Sequence, residues 1–296
     1  MISRRHFLGT VLTSGAAFLG LCGYAVGYEP RYRLNVTRYD LALPRWPADA
    51  KPLTMALVAD IHACDPWMPL WRIEEIVAAT NALNADIVLL LGDYVSSMRR
   101  VPTRILPPEE WSPPLGKLRA PLGVHAILGN HDYWREEGPQ GVRDALIRQG
   151  ITFYENTARR IDALGHRFWL SGTGSMVALK DRHGGVDDLP GTLAQITDDL
   201  PVIHMAHEPD LFPDIPDRVA LTLSGHTHGG QIVLPFIGAI ETGSDYGNRF
   251  RYGHIVEDGR HLIVSGGLGC SHLPIRFGSP PEIVHVTVRP AGPVTA

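Results

Sequence analysis

Runs of apolar residues and breaks of polar residues alternate along the chain at the lengths expected of successive strands and helices. Short, mostly apolar runs that suit strands buried on both faces are predicted at residues 53–59, 86–91, 123–128, 200–206 and 219–223. Further strands are predicted at 32–43, 151–155, 158–164, 166–171, 260–264 and 282–288. Apolar residues recur at helical spacing in 70–83 and 141–149. Strands alternating with helices favour an α/β fold, and the short strands from 151 to 171 indicate antiparallel pairing as well. We therefore predict two mixed sheets packed face to face with helices outside.

The N-terminus has the pattern of an export signal. Arg4 and Arg5 precede an uncharged, largely apolar stretch from Gly9 to Tyr28, and positive residues before such a stretch are typical of signal peptides. The segment Ser3-Arg4-Arg5-His6-Phe7-Leu8 resembles the bacterial twin-arginine signal, which an export receptor reads. An uncleaved membrane anchor is the alternative, because the stretch approaches the length that spans a bilayer. Its many Gly, Ala, Ser and Thr residues make it weakly hydrophobic, which favours the signal.

These features divide the chain into residues 1–27, a signal peptide or N-terminal anchor, and residues 28–296, a single domain. The expected location is the periplasm or the outer face of the cytoplasmic membrane, reached by the twin-arginine route.

Composition narrows the classes of function. The 296 residues are 44% hydrophobic and 20% charged, which is ordinary for a globular protein with a sizeable core. The net charge of −4 offers no basic face to nucleic acid. The 14 histidines are more informative, because histidine is the commonest metal ligand among side chains. The three cysteines are too few and too scattered for a disulfide framework or a zinc ribbon.

Polar residues that can bind metals follow five of the predicted strands. The clusters, in chain order, are Asp60-Ile61-His62, Gly92-Asp93, Gly129-Asn130-His131-Asp132, His207 and Gly225-His226-Thr227-His228. In α/β sheets, ligands bind in the crevice beyond the carboxyl ends of the strands. We therefore expect the five clusters to converge on one pocket.

The residue types in these clusters suit two metal ions. Asp60 and His62 are two positions apart, so on an extended segment their side chains point to one side. Asp93 supplies a carboxylate that can bridge two ions, and Asn130 supplies a neutral oxygen. Mixed imidazole and oxygen ligands suit manganese, iron or zinc, with manganese favoured here, and disfavour calcium. Two ions roughly 3.5–4 Å apart can activate water for attack on a phosphate ester.

The ordered set of clusters resembles the calcineurin-like metallophosphoesterases from about Leu53 to the C-terminus. The segments Gly225-His226-Thr227-His228-Gly229-Gly230-Gln231, Gly267-Leu268-Gly269 and Leu273-Pro274-Ile275-Arg276-Phe277 are similar to an exported bacterial branch of that family. The resemblance implies a four-layer α/β/β/α sandwich that hydrolyses phosphomono- or phosphodiesters.

The resemblance also implies a role for each matching residue. One metal ion would be held by Asp60, His62, Asp93 and His228. The other would be held by Asp93, Asn130, His207 and His226. His131 would act beside the metals as a proton donor or phosphate contact. Arg276 and His272 are candidates for binding the substrate, which would be a phosphate ester, possibly lipid-like.

One departure from the family argues against a phosphoprotein phosphatase. Such enzymes continue Gly-Asp-x-x-Asp-Arg-Gly, whereas Asp93 is followed here by Tyr94-Val95-Ser96-Ser97. The second carboxylate and the phosphate-binding arginine are missing at those positions. This leaves the partner of His131 open, and Asp132 is expected to stabilise the loop.

Other residues near the motifs have weaker claims. Cys64 and Cys270 are expected to be unpaired, with a disulfide between them in an oxidising compartment as the alternative. Leu70 and Trp71 are assigned to the buried face of the following helix, whereas Trp67 and Met68 are candidates to line a lipid-like groove. Three loop arginines are expected to be solvated or to meet an anionic substrate: Arg99, Arg100 and Arg104. Six histidines are assigned to structural or surface roles: His125, His166, His183, His204, His254 and His261.

Two rival functions remain open. The first is pyrophosphohydrolysis of a nucleotide-linked acyl sugar of the UDP-2,3-diacylglucosamine type, which an uncleaved anchor with the domain inside the cell would favour. The second is a metal-stabilised binding protein without catalysis, against which the complete ligand set and His131 argue.

Overall fold

Two six-stranded sheets lie face to face in the computed structural model, which describes residues 3–96, 98, 100–135, 138–179 and 184–291. Arg99 and His183 are outside the described residues. The strands are β1 Asn35–Leu43, β2 Leu53–Val58, β3 Cys64–Asp65, β4 Ile87–Leu90, β5 Arg104–Ile105, β6 Val124–Ala126, β7 Thr152–Phe153, β8 Thr157–Ala163, β9 His166–Gly172, β10 Val202–Met205, β11 Val219–Ser224, β12 Val233–Leu234, β13 Gly238–Ala239, β14 Gly253–Glu257, β15 Arg260–Val264 and β16 Glu282–Pro290.

The helices are α1 Arg4–Gly23, α2 Glu29–Tyr32, α3 Leu70–Ala82, α4 Pro108–Leu115, α5 Asn130–Tyr133, α6 Gln140–Arg148 and α7 Leu189–Leu193. A π-helical turn, Tyr24–Tyr28, joins α1 to α2, and short 3-10 helices span Pro209–Asp214, His228–Gly230 and Gly247–Phe250.

Both sheets mix parallel and antiparallel strands. The first sheet has the order β1-β16-β2-β4-β6-β7, in which only the β16–β2 pair is antiparallel. The second has the order β14-β15-β11-β10-β9-β8, with antiparallel pairs at its two edges. Two short ribbons, β3–β5 and β12–β13, stand apart from the sheets.

The core has three layers of apolar side chains, which makes the fold the predicted α/β/β/α sandwich. Between the sheets, Leu57 and Leu89 pack with Met205 and Leu223. Outside the first sheet, helices α3, α4 and α6 cover a second cluster, and α7 with the 3-10 helix Pro209–Asp214 covers the second sheet. The central strands read as continuous apolar runs because both of their faces are buried.

The structure corrects the sequence-based elements at three places. Strand β7 pairs parallel with β6 in the first sheet, because α6 forms a crossover between them, and only β8 and β9 pair antiparallel as expected. Helix α4 lies in a stretch for which no helix was predicted. It tolerates Pro108 in its first turn, where the backbone N–H would have no helical partner. Strand β14 and the short strands β3, β5, β12 and β13 were not predicted.

The first turn of α3 also differs from expectation. Leu70 is 37% exposed and Trp71 is 45% exposed, whereas Met68 is buried. The buried face of the helix is formed by Ile73 and Ile76, so the face bearing Trp71 points to solvent. Met68 therefore belongs to the core and does not line a groove.

Residues 4–32, here called the N-terminal arm, leave the domain as a nearly continuous helix. Tyr24 contacts Phe277 of the domain, and the carbonyl of buried Ala25 accepts a hydrogen bond from the Arg276 N–H at 3.0 Å. Within the described residues, no helix combines the length and the apolar character needed to cross a membrane. The boundary at residue 28 stays a prediction.

Candidate active site

The structure brings all seven predicted metal ligands together at the carboxyl ends of neighbouring strands. The first sheet contributes the loops after β2, β4 and β6, and the second contributes those after β10 and β11. His226 is half-buried, and the other six are buried, namely Asp60, His62, Asp93, Asn130, His207 and His228.

The ligand atoms form two groups that share one carboxylate. Atoms of Asp60, His62, Asp93 and His228 all lie within 4.8 Å of one another, and so do atoms of Asp93, His207 and His226. Asn130 joins the second group, because its Oδ1 is 2.9 Å from Nδ1 of His226. Asp93 lies between the groups, 3.5 Å from Nε2 of His62 and 3.2 Å from Nε2 of His207.

The backbone of the site is left-handed at five of these residues. The φ angles are 55° at Asp60, 48° at His62, 57° at Asp93, 71° at His226 and 52° at His228. Positive φ is uncommon outside glycine and clusters at functional sites, where surrounding bonds must hold it. The expectation that an extended segment aligns Asp60 with His62 is therefore wrong. Their side chains meet because each backbone turns back on itself.

Glycines leave the space that the ligands fill. A Cβ at Gly129 would collide with Oδ1 of Asp93 and the ring of His207, and a Cβ at Gly225 would lie 2.7 Å from Oδ2 of Asp60. A side chain at either position would displace a ligand.

Each of the four histidines has its outer ring nitrogen against a backbone carbonyl. The pairs are His62 Nδ1 with Val95 O at 3.1 Å, His207 Nδ1 with Leu91 O at 2.6 Å, His226 Nε2 with Gly243 O at 3.0 Å and His228 Nδ1 with Gly269 O at 3.3 Å. A carbonyl oxygen only accepts, so the outer nitrogens of His62, His207 and His226 can donate to it and leave the opposite nitrogens for a metal ion, as in metal-binding histidines generally. The outer Nδ1 of His228 is closer to Nη2 of Arg276, at 3.1 Å, which only donates.

The electrostatics of the cluster fit a cation. Burial raises the pKa of Asp60 to about 7 and lowers the pKa of His62 to about 4. Burial would also raise the pKa of Asp93, but His207 holds it well below its usual range. Among the described residues, Oδ2 of Asp60 and Nε2 of His207 are buried without a hydrogen-bond partner. Buried carboxylates and lone pairs of this kind need positive charge between them.

His131 lies beside the ligands in the short helix α5. Its Nε2 is 3.9 Å from Oδ2 of Asp93 and 3.4 Å from Oγ of Ser271, and its ring meets that of His62 edge-on at 4.9 Å. Burial lowers its pKa to about 3, so the imidazole is neutral at neutral pH. Ser271 was not singled out by its sequence context, although both of its neighbours were.

Asp132 stabilises the loops and does not orient His131. Its carboxylate accepts hydrogen bonds from four backbone N–H groups, those of Gly129, Asp93, Tyr94 and Val95.

The two predicted substrate-binding residues lie in different environments. His272 is exposed, and its ring is 5.8 Å from that of His131, so it lies at the mouth of the site. Arg276 is 0% exposed and donates to the carbonyls of Gly266, Gly269 and Ser279. It lies behind His228, with Nη2 3.1 Å from the outer Nδ1. Burial therefore keeps Arg276 from direct contact with a substrate, contrary to the prediction.

The other candidate residues make contacts within the protein that suit a structural role. Cys64 and Cys270 are unpaired, as expected, and lie in one buried cluster against which Trp67 packs. Arg104 is bound to Asp65 and Glu110 rather than free to meet a substrate.

Comparisons with known proteins agree with this site. The model of the calcineurin-like phosphoesterase family matches residues 53–230. The chain is 31% identical to an uncharacterized metallophosphoesterase, YkuE, of Bacillus subtilis, over 97% of this chain and 98% of that protein.

Two further relatives have informative names. The chain is 30% identical to the phosphodiesterase YaeI of Escherichia coli, over 96% of this chain and 98% of that protein. It is 27% identical to a transmembrane protein with a metallophosphoesterase domain from Danio rerio, over 97% of this chain and 63% of that protein. With its buried Asp/His cluster suited to divalent metal ions, the chain belongs to the calcineurin-like phosphoesterase family and is a hydrolase of phosphoric ester bonds.

Proposed function

We propose that the protein hydrolyses a phosphomono- or phosphodiester at a centre of two divalent metal ions, with manganese favoured. One ion would be held by Asp60, His62, Asp93 and His228. The other would be held by Asp93, Asn130, His207 and His226. The observation that carries the proposal is that two groups of ligand atoms share the carboxylate of Asp93, which is the arrangement expected of a centre with two ions.

The charge balance of the site favours an anionic substrate. Two divalent ions carry four positive charges, and the carboxylates of Asp60 and Asp93 carry two negative ones. The remainder, 4 − 2 = 2 positive charges, balances the two negative charges of a phosphomonoester and exceeds the single negative charge of a phosphodiester. When bound, the ions supply charge for the phosphate oxygens and acidify a water molecule.

His131 would contact the reacting phosphate. Its neutral ring can donate one N–H to a phosphate oxygen, and the negative charge of a bound phosphate raises the pKa of a neighbouring imidazole. His131 could then pass a proton to the leaving oxygen. The hydroxyl of Ser271 would hold the ring toward the centre.

The substrate and location remain our proposals. The name of the Escherichia coli relative supports a phosphodiester, and the absence of the second carboxylate after Asp93 argues against phosphoprotein. The exposed apolar helix α1 supports association with a membrane and a lipid or cell-envelope substrate. Arg4 and Arg5 support export by the twin-arginine route, to be tested by fractionating Arg4→Lys/Arg5→Lys against wild type.

A hydrolysis screen tests the activity. The metal-loaded protein is assayed against phosphomonoesters, phosphodiesters, nucleotide sugars and phospholipids, before and after chelation. We expect turnover of at least one ester class, lost on chelation and restored by Mn²⁺. Failure of the fully loaded protein on every class would contradict the proposal, and preferred turnover of nucleotide sugars would favour the rival pyrophosphohydrolase.

A further inference from the structure

A row of aromatic side chains runs along the N-terminal arm onto the domain. Ring centroids of Tyr24 and Tyr28 are 5.7 Å apart, those of Tyr28 and Tyr32 are 6.0 Å apart, and Tyr32 stacks on Trp71 at 6.0 Å. Tyr28, Tyr32 and Trp71 are all exposed.

The same row continues onto a hairpin that follows the ligand loop. Tyr24 meets Phe277 edge-on at 6.4 Å, and the carbonyl of Phe277 accepts a hydrogen bond from the N–H of Val233 at 2.7 Å. Val233 opens the β12–β13 hairpin, which has Phe236 fully exposed and Ile237 76% exposed at its tip.

We call this surface the apolar face; its members are Tyr24, Tyr28, Tyr32, Trp71, Phe236, Ile237, Ile240 and Phe277. The hairpin segment 232–240 contains no charged residue. Apolar side chains exposed together on neighbouring segments of a chain mark an interaction site.

The apolar face borders the mouth of the candidate active site. Gln231, directly before the hairpin, donates hydrogen bonds from Nε2 to the carbonyls of Ser271 and Leu273 at 3.3 and 3.0 Å. Ser271 in turn contacts His131. His272, which lies between Ser271 and Leu273 in the sequence, is exposed. Whatever covers the face is therefore close to a substrate entering the site.

Charge and composition identify a phospholipid bilayer as the partner. Residues 1–33 carry four arginines and one glutamate, 4 − 1 = +3, whereas the whole chain is −4, so the rest carries −4 − 3 = −7. Arg31 lies over the ring of Tyr32 at 5.3 Å, and positive charge beside tyrosine and tryptophan is the usual composition at an anionic membrane interface. Leu12, Phe18 and Leu19 of α1 are exposed as well, and an apolar helix without a protein partner is typically covered by lipid.

We propose that the apolar face docks on the surface of an anionic bilayer, with the mouth of the site at the level of the lipid headgroups. One consequence of docking, that a phospholipid-like ester can enter the site from the membrane, rests on the proposed function. Docking itself does not require catalysis.

The test uses the full chain, loaded with metal, and vesicles of equal parts phosphatidylethanolamine and phosphatidylglycerol. Phe236→Ser/Ile237→Ser should lower the partition coefficient at least ~10-fold, because two apolar side chains no longer enter the interface. Turnover of bis(4-nitrophenyl) phosphate in solution should be unchanged. The matched control is Leu164→Ser, since Leu164 is 62% exposed in the turn before β9, at the opposite end of the sheet from the site.

A polarity-sensitive fluorophore measures the hairpin without the contribution of α1. In a Cys22→Ser background, a label on Phe236→Cys should shift to shorter wavelength with vesicles, whereas a label on Leu164→Cys should not. An unchanged partition coefficient and no spectral shift would overturn the proposal, as would equal effects at Leu164. If Phe236→Ser/Ile237→Ser abolishes self-association of the protein and leaves vesicle binding unchanged, the apolar face is an interface between copies of the chain and the proposal is wrong. Loss of soluble turnover alone would count against the proposed function and leave docking to the vesicle result.

Discussion

The candidate metal centre and the apolar face lie side by side but are built in opposite ways. In the centre, the ligands are almost all buried, five have left-handed backbones and each histidine is fixed by a carbonyl. On the apolar face, Phe236 and Ile237 are exposed, and they contribute apolar surface area whose effect does not depend on exact atomic positions. Function in the centre therefore depends on single atoms, whereas function on the face is spread over several side chains. Substitutions should separate the two regions by the size and kind of their effects.

The largest effect is expected at Asp93, the residue shared by both ligand groups. Asp93→Asn replaces a bridging carboxylate by a neutral amide, so affinity for both ions and turnover should fall by more than ~100-fold. Metal analysis and kcat/KM measure the two losses. Asp40→Asn is the control, because Asp40 is exposed and paired with Arg289 on the surface. Near-normal turnover of Asp93→Asn would remove it from the bridge.

The next effect separates chemistry from metal binding within the centre. His131→Ala should keep its metal and lose ~10²–10⁴-fold in turnover of alkyl phosphate esters. The loss should be smaller on nitrophenyl esters, whose leaving group needs little protonation. Equal losses on both would assign His131 to phosphate binding, and loss of metal would make it a ligand. Ser271→Ala should show the same substrate dependence more weakly, because it removes only the hydroxyl beside the ring.

Substitution of Arg276 tests how strongly metal affinity depends on a residue that supports the ligand His228 from behind. Arg276→Met removes the hydrogen bonds to Gly266, Gly269 and Ser279 and frees the loop behind His228. Metal affinity should fall ~10–100-fold, the range for residues that support ligands. Arg276→Lys should restore part of it. If substrate KM rises while metal affinity is unchanged, Arg276 contacts the substrate after all.

The last effect needs no substitution, because metal affinity itself should depend on pH. Burial raises the pKa of Asp60 to about 7 in the metal-free protein, so below that pH a proton occupies the carboxylate and competes with the ion. Affinity should therefore rise with pH by at least ~10-fold per unit below about 7, and it should go on rising above 7, because Asp93 raises the pKa of His207, which must also lose its proton to bind metal. Titration by calorimetry at several pH values measures this. An affinity independent of pH between 5 and 7 would contradict the role of Asp60.

The ligands could be predicted from the sequence because each follows a buried strand, and strand ends meet at one edge of a sheet. The groups that hold these ligands in place could not be predicted. Gly243 and Gly269 act through carbonyls that leave no side-chain pattern, and they lie 17 and 41 residues from the histidines that they fix. The left-handed turns at Asp60 and His62 depend on backbone bonds to Gly92 and Asp93.

The role of a polar side chain was also ambiguous in the sequence. Arg276 in a glycine-rich loop suggested an anion contact, and only the packing shows that it is buried behind His228. The apolar face combines segments far apart in the chain, so no local periodicity marked it. Local patterns thus predicted the reacting groups, and long-range contacts determined what holds them.

Metal content tests the central claim most directly. Protein purified with Mn²⁺ present and without chelator, then freed of loosely bound ions, is analysed by plasma mass spectrometry against a quantitative amino-acid analysis. The two ligand groups that share Asp93 predict a content approaching two ions per chain. A firm value of one, or of none, under saturating metal would contradict the dinuclear centre.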